Sequence, residues 1–112
     1  VILGAFAAHS LESVISKEKL DSFQTGVRYQ MIHSIGLFIL YPIAKSFSKN
    51  LDIIGYLFIT GILLFCGSIY FLSTSSLTGI ATSILGPVTP LGGLCFIAGW
   101  GVLFIKLLRK SD

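Results

Sequence analysis

The run IIGYLFITGILLFCGSIYFL, from Ile53 to Leu72, carries no charged residue. A bilayer core about 30 Å thick is crossed by about 20 apolar residues in a helix, the form that satisfies every backbone polar group within the segment. The run has that length and that character, and it reads as a membrane span. Val88 to Ile105 repeats the pattern. Thr89-Pro90 near its start suggests an N-cap followed by proline at the first helical position. Lys106, Arg109 and Lys110 close it with cations that complement a helix C-terminus and snorkel to headgroups.

Composition agrees. Hydrophobic residues make up 54% of the 112 and charged residues 12%, about half the share of a soluble domain. In water such a chain would expose apolar patches larger than soluble monomers carry. The net charge of +3 is small, and the basic residues lie between apolar runs, so nucleic-acid binding is excluded for want of a clustered basic surface. Cys66 and Cys95 sit inside apolar runs without metal-ligand spacing.

Upstream, Val1 to Ala8 is apolar and reads as the tail of a longer, truncated first span, covering residues 1–10 in part. A signal peptide competes, since Ala7-Ala8-His9 faintly resembles a cleavage site, but no basic leader is visible. Residues 16–30 are amphipathic: Leu20, Phe23, Val27 and Met31 recur at helical spacing, with Glu18, Asp21, Thr25 and Arg28 between them. Residues 27–46 follow as a span interrupted by His33, Ser34 and Pro42. This is either one helix entering the membrane from the interface or two helices bent near Gly26. The expected fold is therefore all-α: a single integral membrane bundle of about four helices, with spans at 1–10, 27–46, 53–73 and 89–108 and an interfacial segment before the second.

Small residues mark where such helices approach, because packing rather than hydrophobicity joins helices in lipid. Gly61 and Ser68, Thr60 and Gly67, and Gly92 and Gly99 stand seven apart and form stripes, with Gly93 beside them. They suit packing within one bundle or a homo-oligomer interface. Polar residues gather elsewhere. His9 and Glu12 close the first span, and Arg28, Tyr29, Gln30 and His33 open the second, at a similar depth if the two are antiparallel. Polar groups at membrane depth are costly unless paired, so this cluster is either a structural clamp or a ligand site. Two histidines and Glu12 lack any zinc motif, and no metal or cofactor is expected.

Gly4-Ala5-Phe6-Ala7-Ala8-His9, Thr25-Gly26-Val27-Arg28-Tyr29-Gln30-Met31-Ile32-His33, Gly61 through Tyr70, Thr89-Pro90-Leu91-Gly92-Gly93 and Ala98-Gly99-Trp100 together resemble the membrane family called domain of unknown function 423. Its animal relatives are called transmembrane protein 256. Ala7 and Ser10 stand where the family tends to glycine, Ile32 where an aromatic is usual and Cys66 where serine is usual. The resemblance implies about four transmembrane helices and supplies no activity or catalytic residue.

No phosphate-binding glycine loop, nucleophile elbow or zinc-protease motif is present, and the two clean spans carry no charge. The expected role is non-enzymatic: association with lipid or other membrane proteins in the plasma or inner membrane. A small oligomeric channel with the His/Arg cluster at its mouth is the alternative, and a membrane enzyme using His9 or His33 as base comes third.

With four spans, both termini and the turn from Lys45 to Asp52 share one side. That side holds Lys45, Lys49, Lys106, Arg109 and Lys110, against Lys17, Lys19 and Arg28 opposite, so the termini are expected in the cytoplasm. In a protein freed of Cys66 and Cys95, an impermeant thiol reagent applied outside should label Thr78→Cys and leave Asn50→Cys silent. The reverse pattern would invert the topology.

Overall fold

The computed structural model describes residues 1–80 and 82–109, so Lys110, counted above for orientation, lies outside the described residues. The described residues are helical, without strands. They form α1 (Ile2–Leu11), α2 (Lys17–Phe47), α3 (Asp52–Ser73), the short α4 (Ser75–Thr78) and α5 (Val88–Leu108). Among them, α3 and α5 are each long and apolar enough to cross a bilayer. At 1.5 Å per residue α5 is about 31 Å long, the thickness of the hydrocarbon core.

The amphipathic segment and the second span are one continuous helix. Ser16 caps α2, its hydroxyl accepting from the Lys19 amide at 3.3 Å. The helix runs uninterrupted through Gly26, and Pro42 sits little more than one turn from its end, where the lost hydrogen bond matters least. Ser48 stops the helix in the left-handed conformation at φ 50°. The buried positions of α2 are Phe23, Gly26, His33, Gly36 and Leu40, a single stripe at spacings of three, four and seven. The charged residues of the first turns fall outside it.

α3 packs along α5, and α2 packs against α3, reaching α5 through side chains such as His33 and Trp100. The molecule measures 55 × 28 × 16 Å, thin enough that its helices keep one face uncovered. The main core joins Leu40, Leu51, Ile54, Phe58, Cys66, Phe96 and Leu103. A second cluster, Ala7, Leu11 and Phe23, seats α1 on α2.

Glycines admit rings at the helix crossings. A Cβ on Gly36 of α2 would come within 3.1 Å of the Phe58 ring, and one on Gly99 of α5 within 2.6 Å of the same ring. Phe58 therefore fills a notch shared by two neighbouring helices. Phe96 lies against Gly61 and Tyr70 against Gly26 in the same way, at 2.5 and 2.9 Å from the missing Cβ. At Gly92 a methyl group would land on the Phe65 backbone itself. Gly67 differs: nothing lies within 4 Å of its Cβ position, and at Gly93 the nearest atom is 3.8 Å away. Of the small residues expected to pack, Gly61, Gly92 and Gly99 meet neighbours closely and Gly67 does not, because α3 turns that face outward.

Two stretches depart from α-geometry. Ala7–Leu11 and Ile62–Cys66 are π-helical, each accommodating an extra residue. The second lies where the Phe65 backbone meets Gly92. The start of α5 also differs from the capped form anticipated. The helix begins at Val88, with Pro87 before it and no side-chain cap. The Thr89 hydroxyl donates instead to Ser68 Oγ at 2.5 Å, and Ser68 Oγ donates to the Phe65 carbonyl at 3.0 Å. Thr89 thus ties α5 to α3 rather than closing its own helix.

At the opposite end, two lysines cross between the α2–α3 turn and the end of α5. Lys49 Nζ donates to the Arg109 carbonyl at 2.7 Å, and Lys106 Nζ to the Asn50 carbonyl at 2.8 Å. These bonds place the turn and the C-terminal end of α5 together at the more basic end of the molecule.

Gly92→Ala should destabilise the protein by about 1–3 kcal/mol, since backbone rather than a movable side chain is in the way. Gly67→Ala should be neutral or stabilising by up to about 1 kcal/mol, through helix propensity. Thermal unfolding in one detergent, with both variants side by side, checks the contrast.

Candidate functional site

His33 lies in the middle of the α2 stripe, buried to 3% exposure. One ring nitrogen, Nδ1, sits 2.7 Å from the Tyr29 carbonyl one turn back. The other, Nε2, sits 2.9 Å from Nε1 of Trp100 on α5. A carbonyl only accepts and an indole N–H only donates, so the two contacts assign the ring as neutral, with its proton on Nδ1. A second proton on Nε2 would face the Trp100 N–H and break the inter-helix bond. The ring is stacked on Phe96, centroids 3.6 Å apart and planes 12° apart, and meets Phe58 edge-on at 5.2 Å. Phe58 and Phe96 are the rings seated in the glycine notches, so the packing of three helices fixes the position of the imidazole.

Tyr29 continues the stack outward. Its ring lies 6.1 Å from His33 and 4.9 Å from Phe65. With Gly93, Ile97 and Trp100 these rings line a groove of about 470 Å³ open along the bundle side. Gln30 points to a different neighbour: its Oε1 accepts from the Tyr70 hydroxyl at 2.6 Å, joining α2 to α3. Tyr70 also packs on Phe23, centroids 4.8 Å apart.

The polar cluster read from the sequence thus divides. Tyr29, Gln30 and His33 turn toward the bundle and are bonded or stacked there. His9, Glu12 and Arg28 are exposed, and among the described residues they make no side-chain hydrogen bond. His9 falls in the π-helical Ala7–Leu11 segment, whose inward positions are Ala7 and Leu11. No group of three His, Cys, Asp or Glu side chains suited to a metal occurs among the described residues. Cys66 and Cys95 are free thiols, the first buried and the second half-buried. The partners that define the His33 site, Trp100, Phe96 and Phe58, were not singled out from the sequence as members of it. The signal available was the lone indole of an apolar span, which needs an acceptor when it is not at the headgroups.

A family model described as protein of unknown function (DUF423) matches residues 3–93. The chain belongs to this family. Among its relatives, the UPF0382 membrane protein YwdK of Bacillus subtilis is 40% identical over 109 residues, covering 96% of this chain and 85% of its own. A UPF0382 membrane protein of Staphylococcus haemolyticus is 40% identical over 106 residues, covering 95% and 83%. One from Haemophilus influenzae is 36% identical over 100 residues, covering 89% and 77%. No solved structure matches. The family fixes this chain as a helical membrane protein, in keeping with its apolar α3 and α5.

Trp100 is the only tryptophan, so its fluorescence reports the inter-helix bond directly. His33→Phe, which keeps the ring stack and removes the acceptor, should shift Trp100 emission to the blue. It should cost about 1 kcal/mol of stability, the usual size of an inter-helix hydrogen bond in membranes. Unchanged emission would mean that the indole does not bond to His33.

Proposed function

We propose that this protein is a non-enzymatic, multi-pass component of the plasma or inner membrane that acts by associating with lipid or with other membrane proteins. The observation that carries this reading is the sorting of side chains about the helices. Phe38, Leu63, Ile97 and Phe104 point outward, each at least 65% exposed. Six polar groups at comparable positions are instead consumed in pairs between helices, His33 with Trp100, Gln30 with Tyr70 and Ser68 with Thr89, while Ser34 and Thr60 stay exposed. A surface of that kind offers apolar contact and little chemistry. His33 supports the same reading, because both of its nitrogens are engaged and a general base needs one free.

Four crossing segments, α1, α2, α3 and α5, suit the alternating directions of the helices. In this arrangement the lysine-bridged end, with Lys45, Lys49, Lys106 and Arg109, faces the cytoplasm by the bias of basic residues in short loops. Both termini then lie on that side. The exposed rings of Tyr29 and Trp100 beside the open groove are natural contact points for a neighbour, since aromatic residues are enriched where membrane-protein surfaces meet partners or interfaces.

Native mass spectrometry of the full-length protein, released gently from its own membranes, tests the reading. A defined lipid, a second copy or another membrane protein should accompany the chain, and survive in a His9→Ala variant because His9 takes no part in the bundle. A bare monomer across detergents, with turnover of any substrate abolished by His33→Gln, would overturn it.

A further inference from the structure

At the end of the molecule away from the lysine cross-ties, the first turns of α2, the last turn of α3 and the start of α5 enclose a cleft of about 560 Å³. Glu18, Lys19 and Ser22 line it from α2, and Ile69, Leu72 and Ser73 from α3. Ser73 is only 3% exposed, and its hydroxyl has no hydrogen-bond partner among the described residues. Nearly all buried hydroxyls are partnered, so an unpaired one beside a cleft points to a group that enters from outside. Thr89 and Pro90, in the first turn of α5, close the far wall. That 21-residue helix begins without a side-chain cap; its Val88 amide is taken by the Leu85 carbonyl at 3.1 Å and Pro90 has none, so the Thr89 amide is the donor left between them, at the positive end of the helix dipole.

These features sort by charge. The Lys19 ammonium, the Ser73 hydroxyl and the Thr89 amide in the first turn of α5 are donors suited to a phosphate. Glu18, next to Lys19 in the chain and on the same rim, is suited to an ammonium. Ile69 and Leu72 are apolar and continue into the membrane-spanning part of α3. We propose that the cleft holds the headgroup of a phospholipid with a phosphate and a neighbouring primary ammonium, that is, a phosphatidylethanolamine. Free phosphate would leave the carboxylate and the apolar wall without a role. An anionic lipid lacking the ammonium would meet Lys19 with its phosphate but leave the Glu18 carboxylate unpaired beside its negative charge. The cleft also lies where headgroups do, at the level where the charged first turns of α2 give way to the apolar ends of α3 and α5. The inference rests on the reading of the chain as a lipid- or protein-associating membrane component and names the lipid and the place.

The test uses the full chain in vesicles of equal phosphatidylethanolamine and phosphatidylglycerol, extracted gently, with bound lipid read by native mass spectrometry. Phosphatidylethanolamine should be retained severalfold over phosphatidylglycerol. Glu18→Gln should bring the two toward equality, whereas Lys19→Gln should lower retention of both. Ser73→Ala separates a ligand contact from a folding effect. Removing an unpartnered hydroxyl should leave the delipidated protein as stable or more so, while reducing the rise in Tm on adding phosphatidylethanolamine. A lipid ratio indifferent to Glu18→Gln and a Tm response indifferent to Ser73→Ala would overturn the site, even with other lipids or protein partners retained. Binding of inorganic phosphate to the delipidated protein without any lipid preference would overturn the lipid assignment. A protein bare of lipid and partner in every mixture would overturn both this site and the association reading.

Discussion

Aromatic rings seated in glycine notches hold the bundle together. In lipid there is no hydrophobic gain in bringing two apolar helices together, so association depends on how closely they fit. Phe58 enters between Gly36 and Gly99 and so touches α2 and α5 from α3 in a single contact. Phe96 and Tyr70 repeat the arrangement at Gly61 and Gly26. Each notch needs both partners. A ring without the glycine would push the helices apart, and a glycine without the ring would leave a void that lipid fills poorly.

The polar pairs depend on that fit. His33 reaches Trp100 because Phe58 and Phe96 fix the separation of α2 and α5, and the same rings bracket the imidazole. Gln30 reaches Tyr70 because the tyrosine ring lies over Gly26. Packing sets the distances and the hydrogen bonds then fix the register, since sliding one helix along another would separate donors from acceptors. Glycine notches alone would tolerate such sliding, because neighbouring apolar side chains differ little in what they lose.

Much of this architecture is legible in the chain. The spans that became α3 and α5 stand out because uncharged runs of that length have few other fates. The continuity of α2 is harder to see. Gly26 left a bend open beside a single continuous helix, and Pro42 suited either a helix end or a kink; the structure makes the first a seat for a ring and sets the second near the helix end. Depth in the membrane can be read from position along a helix, which is how Tyr29, Gln30 and His33 were grouped with His9, Glu12 and Arg28. Azimuth cannot be read so simply. His9 and Glu12 lie in or just after a π-helical turn that shifts the phase of their faces, and Arg28 is turned away from the stripe that holds His33. The partners of His33 and Gln30 come 67 and 40 residues later, and no local pattern pairs side chains across that interval.

The π-helical stretch Ile62–Cys66 works as a phase shifter within α3. One surplus residue rotates everything after it by about 100°, a single residue's share of a 3.6-residue turn. Phe58 and Gly61 are timed before the shift, and after it Ser68 meets Thr89 of α5 while Tyr70 meets Gln30 of α2. One helix can thereby serve the main core at one end and the α1–α2 cluster with its neighbouring cleft at the other. In such a helix sequence length is itself a structural variable. Losing one residue there would change no chemistry, yet would turn Tyr70 away from Gln30 and Ser68 away from Thr89 together.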